Sequence, residues 1–277
     1  EIRNYLIRKL GVEYDPKSEM IITVGGSEGI DIALRAMLDR DDEVLIPQPS
    51  YVSYEPCTIL AGGKPVIIEL KAEDGFKLKA SQILEKVTDK TKILILPFPN
   101  NPTGSILNMD ELREIAKVCI EKDLYVISDE IYCELTYEGE HASIVQIEGM
   151  KERTVLINGF SKSYAMTGWR LGYATGPKEI ISQMTKIHQY AIMCAPTTSQ
   201  YAAVEALAHG DADVARMRES YNQRRRYLLH RFEELGMTCF EPQGAFYVFP
   251  SIKRFGMSSE EFATRLLEEQ KIAIVPG

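Results

Sequence analysis

Cysteine is scarce and its spacing carries no pattern. The five cysteines, Cys57, Cys119, Cys133, Cys194 and Cys239, are odd in number and far apart. They suggest neither a disulfide framework nor a Cys-x-x-Cys zinc site. That usage fits a reducing cytosol, so a cytoplasmic location is expected. Histidine is scarcer still: His141, His188, His209 and His230 are scattered and complete no metal-ligand set or nucleophile–base pair. Surface or helix positions are expected for all four. Positive charge is not in excess either, and a net charge of −8 argues against an electrostatic nucleic-acid partner. The one basic cluster, Arg224-Arg225-Arg226, lies in a predicted helix among acidic neighbours and reads as a solvated face. No apolar run approaches the ~20 residues needed to cross a bilayer, and no signal peptide is visible. What is present is an ordinary globular composition, 45% hydrophobic and 26% charged over 277 residues, enough for one large core or two unequal ones.

Strand and helix patterns alternate through the first two thirds. Short apolar runs at 20–24, 43–46, 64–70, 93–96, 125–128, 154–157 and 171–175 read as strands. Ile30, Ala33, Leu34 and Met37 recur at helical spacing, as do Leu112, Ile115, Ala116 and Cys119. Residues 81–87 read as a short helix. Asn108 followed by Glu111 has the form of a capping box. Uniformly apolar strands alternating with helices predict an α/β fold with a mostly parallel sheet covered on both faces. Beyond Gly176-Pro177 the character changes. A long helical stretch to about His209 and a charged helix over 211–235 are expected. Strands at 237–240 and 246–249, a helix over 258–269 and a strand at 272–275 then read as a smaller α+β unit. The expected division is a large domain over 11–190 and an interdomain helix with a small domain over 191–277. Residues 1–10 are then the remnant of an N-terminal segment, because an uncapped amphipathic helix begins there. The last strand also stops abruptly, so both ends look like cuts through a longer chain.

Four polar motifs fall just after predicted strands, where open α/β sheets bind ligands. They are the glycine turn Gly25-Gly26-Ser27-Glu28-Gly29, Asn101-Pro102-Thr103-Gly104, Ser128-Asp129-Glu130-Ile131-Tyr132, and a segment from Asn158 to Arg170 that contains Lys162. A lysine, an arginine eight residues later, an upstream aspartate and a glycine turn are what pyridoxal 5'-phosphate (PLP) chemistry requires. Lys162 can form a Schiff base with the cofactor aldehyde and, once released, move protons as base and acid. Asp129 can keep a pyridine nitrogen protonated, although read alone an aspartate there is more often a helix cap or turn residue. Tyr132 can donate to the ring's phenolate oxygen beside Asn101, with a core tyrosine as the other reading. Backbone N–H groups of Gly26, Ser27 and Glu28 can point at a phosphate. A dinucleotide site competes there, but the order Gly-Gly-x-x-Gly does not meet its pattern. Arg170 can clamp the same phosphate, Ser161 can add a hydroxyl, and Tyr51 can stack on the ring or pack on the sheet edge.

Together the segments Asn101 to Gly104, Ser128 to Tyr132 and Phe160-Ser161-Lys162…Thr167-Gly168-Trp169-Arg170-Leu171-Gly172 resemble the class I/II aminotransferases of PLP fold type I, the aspartate aminotransferase-like family. The match runs in the family's order through nearly the whole chain. The resemblance implies a seven-stranded-type sheet between helices and the transfer of an α-amino group from an amino acid to a 2-oxo acid. It also implies a Schiff base at Lys162, a pyridine-nitrogen partner in Asp129, ring-oxygen contacts from Asn101 and Tyr132, and stacking by Tyr51. Phosphate contacts fall to Gly26, Ser27, Glu28, Ser161 and Arg170. Tyr51 stands where many relatives carry Trp or Phe, and Gly159 where several carry a hydroxyl, which leaves Ser161 the weaker carry-over. The family further implies a homodimer with the active site at the two-fold interface. It also implies a carboxylate-binding arginine and an N-terminal capping segment, both outside these residues. A PLP-dependent C–S β-lyase uses the same scaffold, and a non-enzymatic effector domain of a regulator is a third alternative.

Overall fold

The computed structural model describes residues 1–277. Its centre is one sheet of seven strands: β1 (Met20–Thr23), β2 (Glu43–Gln48), β3 (Lys64–Glu69), β4 (Thr91–Leu96), β5 (Tyr125–Asp129), β6 (Thr154–Gly159) and β7 (Gly172–Thr175). They lie in the order β1-β7-β6-β5-β4-β2-β3. The ladder from β6 to β3 is parallel, while β7 runs antiparallel to both neighbours. The strand expected at 43–46 continues through Pro47 to Gln48. Pro47 is tolerated because the ladder to β4 ends at Leu45, leaving no partner on that side for the missing N–H.

Alternate side chains of each strand feed different cores. Ile93 and Ile95 of β4, with Ile127 of β5 and Val155 and Ile157 of β6, join the core under helices α2 (Gly26–Met37) and α6 (Lys178–Ala191). Leu94, Leu96, Val126 and Leu156 face the other way, onto α5 (Met109–Glu121). This two-sided burial is why the strands read as continuous apolar runs. Ile30, Ala33, Leu34 and Met37 are buried on α2, and Leu112, Ile115, Ala116 and Cys119 on α5. The capping box of α5 is formed: Glu111 N–H donates to Asn108 Oδ1 at 2.9 Å, and Asn108 N–H to the Glu111 carboxylate at 2.8 Å. Helices α1 (Ile2–Leu10), α3 (Tyr54–Leu60) and α4 (Ala80–Lys86) complete the large layer.

The last third departs from expectation in four places. The long helix to His209 is two helices, α6 and α7 (Thr197–His209), separated where Met193 takes φ +69° and Pro196 opens the second. The segments 237–240 and 246–249 are not strands; a single bridge joins Cys239 to Pro250 just past the second, and another joins Thr136 to Gly244 between them. Pro242 and Pro250 each lack an N–H, and Ala245 sits at φ +57°, so no ladder can propagate. Residues 272–275 also form no strand, because no neighbouring strand pairs with them. Finally, Arg225 is not on a solvated face. On α8 (Asp211–Glu234) Arg224 and Arg226 are exposed, but Arg225 is buried. It donates to the Pro242 carbonyl at 2.9 Å and to Glu241 at 3.1 Å, and lies 5.2 Å over the Tyr137 ring. It ties α8 to the segment that precedes the site. A final helix, α9 (Ser259–Gln270), begins with Ser258 accepting from the Glu261 N–H. No helix is long and apolar enough to cross a membrane.

Candidate active site

The parallel strands deliver their following loops to one edge of the sheet. Antiparallel β7 matters here, because it starts at that edge and so carries Arg170 to it. Gly172 pairs with Thr23 on one side and Gly159 on the other. The glycine turn, the Lys162 loop and Arg170 therefore meet at a single residue. A side chain is impossible there: a Cβ on Gly172 would lie 2.7 Å from Gly26 N and from the Gly25 carbonyl carbon.

A cleft of about 260 Å³ opens at this point. It is lined by Gly26, Ser27, Tyr51, Asn101, Asp129, Tyr132, Ser161, Lys162 and Arg170, nine of the ten site residues expected from sequence. Glu28 stands apart. It does not line the cleft; its carboxylate accepts the Val24 N–H at 2.5 Å and pairs with His188 Nδ1 at 2.7 Å behind the turn. His188 is thus buried, and His141 likewise pairs with buried Glu130 at 2.7 Å. His188 lies on a helix, as expected, but turns inward to half-buried Glu28, while His141 departs from expectation by pairing with buried Glu130.

The Lys162 loop is held by its own backbone. Phe160 N–H donates to Leu171 O, Met166 N–H to Phe160 O, and the Thr167 hydroxyl to Ser161 O at 2.9 Å. Lys162 Nζ projects between the rings of Phe246 and Tyr132, 5.5 and 5.8 Å from their centroids. Asp129, at the end of β5, is buried. Its Oδ2 accepts the Tyr54 hydroxyl at 2.7 Å and its Oδ1 the Ile131 N–H at 3.2 Å. Burial raises its carboxyl above the usual range, while those two hydrogen bonds pull it back down. A buried carboxylate in that condition is stabilised by a cation placed beside it.

Sequence reasoning missed Tyr54, Thr167 and Tyr247, which also line the cleft. Tyr54 was within reach of it, since it lies three residues beyond Tyr51 on the first turn of α3, with its ring edge-on to Tyr51 at 5.7 Å. Tyr247 left no local signal, because it arrives from a segment without regular structure.

The residue set fits PLP. An amine, a buried carboxylate that favours a cation and a glycine cradle facing an arginine occupy one cleft. Gly25 takes φ +78°, and a Cβ there would lie 2.6 Å from Arg170 Nη2. Gly25→Ala is therefore expected to strain the turn and displace the guanidinium, weakening PLP binding by about tenfold or more with the fold intact. Equilibrium titration with PLP checks this; unchanged affinity would detach Arg170 and the turn from the phosphate.

The sequence model of the aminotransferase class I and II family matches residues 1–277, and the chain belongs to that family. It is similar to the Bacillus subtilis (strain 168) protein YugH, 50% identical over 277 residues, which are all of this chain and 72% of that protein. It is 44% identical over 284 residues to an aspartate aminotransferase of Pyrococcus abyssi, covering 100% of this chain and 73% of the relative. Among solved structures, an aromatic aminotransferase from Pyrococcus horikoshii superimposes with a TM-score of 0.97 at 44% identity, covering 99% of this chain and 74% of that one. The protein is a PLP-dependent aminotransferase of fold type I that acts on an amino acid and a 2-oxo acid. These likenesses set the lyase and regulator alternatives aside.

Proposed function

We propose that each cleft residue takes the following part in that transamination. Lys162 would hold the cofactor at its aldehyde carbon and, once released, would carry the proton lost from the substrate's Cα to that same carbon. Asp129 would supply the charge for the ring nitrogen, and Tyr54 fixes the carboxylate for that purpose. Tyr132 and Asn101 would donate to the ring oxygen, and Tyr51 would stack on the ring. Gly26 and Ser27 offer N–H groups at the start of α2 to the phosphate, with Ser161 and Arg170 beside them. Glu28 contributes from behind, bracing the turn through Val24 and His188. The cofactor's protonated ring supplies the electron sink that makes the Cα proton removable. The observation that carries these assignments is the buried Asp129 carboxylate sharing one cleft with Lys162 and the Gly25–Arg170 cradle. Borohydride treatment of the loaded protein followed by peptide mapping tests them. The label is expected on Lys162, and a label on any other lysine sinks the assignment.

The unit over 11–190 supplies every cleft residue but Tyr247, which comes from the smaller unit over 191–277, and this supports a substrate seat between the two. Five free thiols support a cytoplasmic location. A homodimer is supported by large apolar side chains left in solvent: Val52, next in sequence to Tyr51, is 80% exposed, and Tyr190 and Met193, at and just beyond the end of the helix whose His188 meets Glu28 behind the glycine turn, are 90% and 81% exposed. Tyr190→Asp with Met193→Asp is expected to shift the protein toward monomer in analytical ultracentrifugation and to weaken PLP retention. A variant that sediments like the parent places the contact elsewhere.

A further inference from the structure

We infer that Tyr247 is a positioning residue of this site: it donates its phenolic proton to Tyr132 and so commits the proton of Tyr132 to the cofactor's ring oxygen. The inference rests on the role proposed above for Tyr132. The two hydroxyl oxygens lie 2.6 Å apart, so one proton lies between them, and each phenol has only one to give. Were that proton Tyr132's, the ring oxygen would face a lone pair. Donation by Tyr247 leaves the Tyr132 proton free to point at the ring, and makes it a stronger donor, because hydrogen bonds in a chain polarise one another.

The rest of the segment is built to hold that hydroxyl. Phe246 packs edge-on to Tyr132 at 5.3 Å and against Tyr221 of α8 at 5.4 Å, and the Tyr247 ring meets Tyr132 edge-on at 5.7 Å. Ala245 is fully buried at φ +57°, and its carbonyl accepts the Tyr137 hydroxyl. Just before it, the N–H groups of Gln243 and Gly244 both donate to Gly104 O at 2.9 Å. The Asn101 to Gly104 loop is thereby fixed by the same short segment that fixes Tyr132. One segment, distant in sequence, sets both donors assigned to the ring oxygen.

The other titratable or charged groups around these phenols are Asp129, Lys162, Tyr51, Tyr54 and Arg170. Tyr54 already gives its proton to Asp129. All of them remain in Tyr247→Phe, which removes one hydroxyl and keeps the ring. The measurement is the pH midpoint of the visible absorbance of PLP bound to the holoenzyme. Donation to the ring oxygen favours its anionic form, so weakening it moves the midpoint upward. Tyr247→Phe is expected to raise the midpoint by at least ~0.5 pH unit, a shift of the size one neutral hydrogen bond gives. Tyr132→Phe should raise it further, and adding Tyr247→Phe to Tyr132→Phe should change nothing more. An unmoved midpoint in Tyr247→Phe, or additive shifts in the double variant, overturns the inference. Absence of borohydride label at Lys162 in the parent would instead overturn the site assignment itself, so the two failures are separable.

Discussion

Lys162→Ala is expected to bind PLP without a covalent link and to turn over about four orders of magnitude more slowly, a barrier increase of about 5.4 kcal/mol. Two losses coincide in that variant, the bond to the cofactor and the proton carrier, and groups that act as a unit do not lose activity additively. The surroundings of the amine make the loss specific. Phe246 and Tyr132 lie against Nζ with their rings, the Asp129 carboxylate in the same cleft is tied up by Tyr54 and Ile131, and His141 and His188 are both engaged with glutamates outside the cleft. No second base stands ready to substitute. Single-turnover absorbance of the loaded variant mixed with an amino acid substrate makes the measurement. Added methylamine, a small diffusible base, should recover part of the rate. A variant within tenfold of the parent would return Lys162 to an ordinary loop lysine.

The cleft was legible in the sequence because its parts obey local rules. Each strand is apolar enough to be recognised, and each polar motif comes at a strand's end, so a parallel sheet gathers them without further information. Leu112, Ile115, Ala116 and Cys119 declared the buried face of α5 by spacing alone. What failed was decided at long range. Residues 237–240, 246–249 and 272–275 have strand-like composition, but a ladder needs a partner, and proline and a left-handed alanine interrupt the first two. Arg225 sits in a run of three arginines that local charge assigns to solvent. Its burial is set by Glu241 and the Pro242 carbonyl, sixteen and seventeen residues away. Tyr247 belongs to the same class: its position depends on Gly104 and Tyr132, neither of which its neighbours in sequence can announce.

Asp129→Asn is expected to make the empty protein more stable and the enzyme much worse. In the empty protein burial raises the Asp129 carboxyl above its unfolded value of 3.8. A carboxyl raised on folding favours the folded state fully below the unfolded pKa, and that advantage is lost as pH rises through the folded pKa. At neutral pH the charged form is therefore buried at a cost that asparagine does not incur. The amide keeps the shape: its oxygen can accept the Ile131 N–H, and its NH2 can donate to the Tyr54 oxygen once the phenol turns its own proton away. PLP reverses the order, because a protonated ring nitrogen beside Asp129 supplies the cation the carboxylate needs, and a neutral amide gains nothing from it. Thermal melts with and without PLP should then cross: the variant melts higher when empty at pH 7.5, gains less from PLP, and loses its advantage below about pH 4, where the parent carboxyl is protonated in both states. Turnover should fall at least ~100-fold, about 2.7 kcal/mol of transition-state stabilisation. A parent that melts higher when empty, together with near-parent turnover in the variant, would make Asp129 a turn residue satisfied by Tyr54 alone.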